Sequence, residues 1–265
     1  MSTQMPDEPT ATGPAGDPLP EAVALAQGAA NAGLGLKLLG GLAVRVLCPA
    51  FPPRLRAGQD IDFACLSKGR KNIVSYLESA GCTADRRFNN LNGDRQMYFT
   101  APSGRPIDVM VDRLTMCHTL DLRPAFGKLP LTVDAADLLL SKLQIVELNE
   151  KDARDIMHLL SGVPVSGTGA EAGADGAVID SDRFAKILAA DWGWWRTVTG
   201  NLKRLPALAA DKPELLPSSP PYNPLTQAAY LQQLADLTPK GMKWKLRANV
   251  GDRVRWYELP EEVGH

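Results

Sequence analysis

Two aspartates one residue apart, Asp60 and Asp62, begin the alternating run Asp60-Ile61-Asp62-Phe63-Ala64-Cys65-Leu66. On an extended strand, positions i and i+2 share a face, with Cα atoms roughly 7 Å apart. Both carboxylates then project one way while Ile61 and Phe63 project towards a core. Asp108 is another lone acid in an apolar run, between Ile107 and Val109. Like charges on one face repel unless a cation or water intervenes. A pair of Mg2+ ions roughly 4 Å apart is the arrangement that calls for such a carboxylate cluster. Upstream, Leu39-Gly40-Gly41 reads as a strand-to-helix turn whose bare backbone lets a ligand reach main-chain N–H groups, and a helix N-terminus favours phosphate. A Gly-Gly turn or an acid-x-acid pair is commonplace by itself. Their order along the chain carries the information.

The elements that must position these residues alternate between helix and strand. Glu21 to Ala32 reads as a helix, Leu36 to Leu39 as a short strand, and Leu42 to Leu47 as a helix stopped by Pro49. Asp60 to Leu66 is a strand. Lys68 to Ala80 is a helix with Ile73, Tyr76 and Leu77 on one face, ended by Gly81. Arg95 to Thr100 and Pro106 to Val111 flank the turn Pro102-Ser103-Gly104 as a hairpin. Leu129 to Val133 is a last short strand. Asp134 then caps a helix, with Asp137 in its first turn, that runs to about Leu148, and Asn149 caps the next, ending near Leu160. A hairpin beside crossover helices implies an α/β (α+β) chain with a mixed sheet.

Composition bounds the rest. The chain has 265 residues, 45% hydrophobic and 22% charged, the proportions of an ordinary globular protein. Lys and Arg number 29 against 30 Asp and Glu, which excludes a protein-wide cationic field for gripping polyanions. Cys48, Cys65, Cys82 and Cys117 form no C-x-x-C pair, and three histidines complete no familiar zinc spacing. Reduced thiols in a cytoplasmic, soluble protein are the expectation. No stretch fits a membrane span, and the N-terminus lacks a secretory pattern. Residues 1–20 read as a disordered tail, 21–160 as the core, 161–177 as a flexible linker and 178–265 as a mostly helical C-terminal region.

Two further features bear on chemistry. On a helical wheel Ser141, Gln144 and Glu147 form the polar face, and Lys142 falls opposite them between Leu138 and Val146. A lysine there must snorkel or find a partner. Lys151 and Asp155 are spaced as an i,i+4 pair, and Asp152 suits the helix N-terminus. In the C-terminal region Trp192 and Trp195 are spaced to pack one helix face on the core. Lys240 to Arg255 carries six Lys or Arg and one acid around Trp244. That segment reads foremost as a solvated end whose tryptophans dock, and secondarily as a tRNA- or DNA-binding surface. His118 and His158 read as structural.

Gly40-Gly41, then Asp60-Ile61-Asp62-Phe63, then Ile107-Asp108-Val109 resembles the nucleotidyltransferase superfamily that includes DNA polymerase beta. The downstream runs Asp137 to Gln144 and Lys151 to Ile156 look like the bacterial AbiEii-type and related minimal nucleotidyltransferases. The resemblance covers about residues 36–160. It implies a mixed-sheet palm, two Mg2+ ions, and transfer of a nucleoside monophosphate from an NTP such as ATP with release of pyrophosphate. Asp60, Asp62 and Asp108 would hold the metal, Gly40 and Gly41 would face the triphosphate, and Lys142 would offset charge on its β- and γ-phosphates. Asp155 is the functional acid that toxin-like relatives suggest. Acceptors would be a tRNA, a protein hydroxyl or a small molecule, and a cognate antitoxin is a further partner the resemblance implies. Two departures stand out. Leu42-Ala43 follows the glycines where many relatives carry Ser or Thr. The stretch from Gly41 to Asp60 is long and holds Pro49, Pro52, Pro53, Arg54 and Arg56, read here foremost as a solvated loop and secondarily as a substrate-facing loop whose arginines meet phosphate. The missing hydroxyl motivates an alternative, a catalytically inactive relative that binds nucleotide or nucleic acid. A third reading is a structural partner in a toxin–antitoxin pair.

Overall fold

The computed structural model describes residues 16–51, 59–169, 171–173 and 176–259. From the N-terminus, α1 (Leu19–Asn31) leads into β1 (Leu36–Leu38), α2 (Gly40–Leu47), β2 (Ile61–Cys65) and α3 (Arg70–Ser79). Then come β3 (Thr83–Ala84), α4 (Arg86–Asn92), β4 (Gln96–Thr100), β5 (Pro106–Val111), β6 (Arg113–Thr115) and β7 (Thr119–Asp121). Helices α5 (Ala135–Leu143), α6 (Glu150–Gly162), α7 (Ser181–Ala190), α8 (Trp192–Asp211), α9 (Pro224–Leu237) and α10 (Met242–Val250) complete the chain.

The expected mixed α/β architecture is present. Five strands form one sheet in the order β1-β2-β5-β4-β3, and β6 and β7 form a separate ribbon. β2 and β5 run parallel, while β1, β4 and β3 join antiparallel. Alternation decides which side is covered: Ile61, Phe63, Met97, Phe99, Ile107 and Val109 are buried. Register then aligns Asp62, Asp108 and Tyr98 across three adjacent strands on the other side. Directly opposed residues in a ladder share a face, so an acid read from one strand meets an acid from the next.

Several expected boundaries shift for identifiable reasons. The segment Leu129 to Val133 is no regular strand. It makes a single parallel bridge, Thr132 to Leu38, with Leu38 N–H donating to Leu131 O and Val133 N–H to Leu38 O. The helix expected to reach Leu148 stops at Leu143, where the buried Asn201 amide captures the carbonyls of Leu143 and Ile145 at 2.8 and 2.7 Å. Those carbonyls are satisfied by a side chain instead of by further helical turns. The supposed polar face of α5 is not solvated either. Ser141 and Gln144 are buried, because α2, α6, α7, α8 and β7 pack around α5. Gln144 Oε1 accepts from His118 N–H, and Ser141 Oγ donates to Leu138 O. The helix expected to begin at Lys68 opens with a 3-10 turn, Ser67–Gly69, and α2 starts at Gly40, two residues early. Asn149 caps α6 as expected, accepting from Asp152 N–H at 2.9 Å.

In the glycine-rich stretch 161–177, Val163, Val165 and Ala177 are buried, and Val165 bridges to Ile179. The first part of the expected tail, residues 1–15, and the loop carrying Pro52, Pro53, Arg54 and Arg56 lie outside the described residues. Among the described residues no helix is long and apolar enough to cross a membrane. The four cysteines are free and buried, and burial pushes the Cys48 and Cys65 thiols up to about 12.

Candidate active site

β2 and β5 lie side by side and parallel, with Asp62 opposite Asp108 in the register. Asp60 immediately precedes β2. Together they form a cluster in which one carboxylate oxygen from each lies within 4.8 Å of the others. The three acids that sequence spacing singled out are therefore one site. Asp62 feels this crowding. Burial, then the charges of Asp60 and Asp108, raise its carboxyl to about 7 against the opposing pull of Lys142 and Lys151. An all-oxygen, like-charged cluster held by two strands suits a hard divalent cation.

Gly40 explains how the helix comes so close. It adopts φ +64°, and a Cβ there would sit 2.1 Å from Asp62 Oδ2. Leu39 N–H donates to Asp62 O at 2.9 Å, tying the entry of α2 to β2. No residue with a side chain fits between the start of α2 and this carboxylate. At Gly41 the nearest group is different: a Cβ would stand 3.5 Å from Asp155 Oδ2.

Asp155 is paired with Lys142. The Lys142 ammonium, buried on α5, lies 2.7 Å from Asp155 Oδ2 and 3.2 Å from Asp152 Oδ1, both on α6. Burial by itself would lower the lysine's pKa, but Asp155 and Asp152, with Asp62 beyond them, outweigh it and raise the value. Lys142 is thus a fixed buried cation and does not snorkel. The i,i+4 spacing of Lys151 and Asp155 goes unused as an ion pair, because the tertiary fold delivers a buried ammonium to Asp155 instead. Leu42, after the glycines, is buried and contributes no hydroxyl.

Two residues on β4 belong to the site and escaped the sequence reading. Gln96 Nε2 donates to Asp108 Oδ1 at 2.6 Å, and Tyr98 lies opposite Asp108 in the register. Burial, then Asp108 and Asp60, push the Tyr98 phenol up. The signal was present in the alternation Gln96-Met97-Tyr98-Phe99, whose polar positions share one face. The expected hairpin already paired β4 with β5; what the sequence lacked was the register that sets Tyr98 opposite Asp108 and Gln96 within reach of it.

His118 and His158 are both held in packing contacts. The His118 ring pairs with Thr197 Oγ1 at 2.9 Å and packs on Trp194, and burial lowers its pKa to about 4. His158 packs on Phe51.

No family model and no curated protein matches the chain. Among solved structures it is similar to the lincosamide antibiotic adenylyltransferase LnuA bound to lincomycin, at 18% identity, covering 50% of this chain and 90% of that one, with TM-score 0.35. It is similar also to an antigenic nucleotidyltransferase-like protein from Paracoccidioides brasiliensis, at 14% identity over 72% and 90% of the two chains, TM-score 0.38. A third is JHP933 from Helicobacter pylori, at 13% identity over 87% and 92%, TM-score 0.34.

Proposed function

We propose that the chain is a Mg2+-dependent nucleotidyltransferase, moving a nucleoside monophosphate from an NTP to an acceptor hydroxyl on a tRNA, a protein or a small molecule. The observation that carries the reading is the pairing of Asp62 with Asp108 on adjacent parallel strands, beside Asp60 and backed by Gly40. Asp60, Asp62 and Asp108 would hold the metal, which when bound supplies positive charge to offset that of the triphosphate.

The chain's own residues do the rest. The start of α2, at Gly40 and Gly41, offers backbone N–H groups to phosphate oxygens. Lys142 stays protonated and offsets the charges of Asp152 and Asp155 beside the site. The acceptor oxygen forms a bond to the α-phosphorus as the bond from that phosphorus to the bridging oxygen breaks, and pyrophosphate leaves. The acceptor's proton passes to the Asp108 carboxylate, which Gln96 orients through its amide.

The test is incubation of the purified protein with radiolabelled NTPs, Mg2+ and, separately, total RNA, protein and small-molecule fractions of a cell extract. Wild type should label one fraction, and Asp62→Asn should lower the rate by about 100-fold or more. No labelling by wild type, or unchanged labelling by Asp62→Asn, refutes the proposal. A second reading, an inactive nucleotide-binding relative, is favoured by Leu42, which follows the glycines, is buried and offers no hydroxyl. Calorimetry separates the two: NTP binding without pyrophosphate release supports the second reading, and turnover removes it.

A further inference from the structure

Among the described residues helix α10 is anchored from one side only. The Trp244 indole N–H donates to Leu188 O at 3.1 Å, and its ring packs edge-on against Trp195 with centroids 5.4 Å apart. At 100° per residue Met242, Leu246 and Val250 fall within about 80° of one another, and Trp244 lies about 200° from Met242. The apolar stripe therefore points away from the protein, and its residues are 77%, 61% and 38% exposed. Lys243 and Lys245 are exposed and flank the stripe on its two sides, and α10 contains no acid. The acid that follows, Asp252, is already paired with Arg196 at 2.9 Å. A narrow apolar seam about 12 Å long, bordered by lysines, is what one helix presents to another.

The geometry points to a docking site on the outer face of α10 for an acidic amphipathic helix of a partner protein. Three other occupants fit less well. A second copy would set lysine against lysine, with no acid on α10 to relieve them. A bilayer surface calls for a wider apolar face with an aromatic anchor, and the helix's one aromatic, Trp244, is turned inward. Nucleic acid calls for open aromatic faces among the bases, yet the rings of Trp192, Trp244 and Trp256 are taken up by one another, by Trp195 and Tyr257, and by Lys240, Arg247 and Arg196. An acidic helix meets both requirements at once, apolar residues for the seam and carboxylates for its two rims.

The inference is independent of the proposed transfer reaction and is tested without it. The photo-reactive residue p-benzoylphenylalanine is placed at position 246 of the full chain, which is irradiated in cells of its native organism, and the adduct is mapped by mass spectrometry. The expected product is one protein cross-linked through a helical segment with Asp or Glu beside its apolar positions. Lys243→Glu with Lys245→Glu should lower the yield at least about tenfold. The same probe at Leu91, an exposed leucine on α4, should not give that product. A protein that keeps its wild-type circular dichroism but gives no adduct overturns the inference. So does an adduct to lipid, nucleic acid, a second copy or a basic segment, or one unaffected by the charge reversals.

Discussion

Gly40 and Asp62 illustrate how closely the site constrains single residues. The glycine combines φ +64° with a Cβ position 2.1 Å from a carboxylate oxygen. Gly40→Ala should therefore lose about 1–3 kcal/mol from backbone strain and more from displacing Asp62, read as a lower urea midpoint. Asp62 shows the cost of function in the opposite direction. Its folded carboxyl titrates at about 7 instead of the ordinary 3.8, so the stability it contributes is fully present below pH 3.8 and is lost as pH rises through 7. Asp62→Asn removes that loss. The metal-free variant should be more stable than wild type at pH 8, by up to about 4 kcal/mol, with the gap closing towards pH 4 in paired urea titrations. The acids themselves were legible from one sequence because a charged residue in an alternating apolar run has few structural explanations. Gln96 was not, because the expected hairpin left open the register that brings its amide to Asp108.

At the scale of elements, polar side chains settle where helices end and how they meet. Gln227 on α9 is the clearest case. Its Oε1 accepts from Val165 N–H at 2.6 Å, and its Nε2 donates to Leu160 O and Val163 O at 2.6 and 3.0 Å. One buried amide thus satisfies three backbone groups where α6 gives way to the following turn. Gln227→Leu keeps the volume but strands all three, and should cost about 3 kcal/mol in chemical denaturation. Gln227→Glu should recover only the bond from Val165, because it cannot donate to the two carbonyls. Local pattern found the cap of Asn149 on Asp152 but not the role of Asp134, which makes no side-chain cap bond to α5 and accepts from Lys128 N–H instead. It placed the end of α5 five residues late, because the amide that ends this helix comes from Asn201, 56 to 58 residues away.

Across the whole molecule, the near-balance of 29 basic and 30 acidic residues conceals segregation: three acids converge at one end of β2 and β5, and bases collect around α10. The acid cluster should make stability depend on divalent ions. Mg2+ at about 100 times its dissociation constant should add about 2.7 kcal/mol to wild type, seen as a rise in melting temperature. Asp62→Asn combined with Asp108→Asn should remove that response, and chelation by EDTA should reverse it in wild type. The sequence by itself determined the hairpin, the strand carrying Asp62, the mixed α/β character and three of the acids, since alternation and turn residues act over a few positions. Only the tertiary structure decided that β2 lies parallel to β5 with Asp62 opposite Asp108, that Lys142 belongs to Asp152 and Asp155, and that Met242, Leu246 and Val250 face outward. Those outcomes depend on which distant surfaces pack together. Burial then imposes what no local pattern carries: a cation taken out of water must find its counter-charge wherever the fold supplies one.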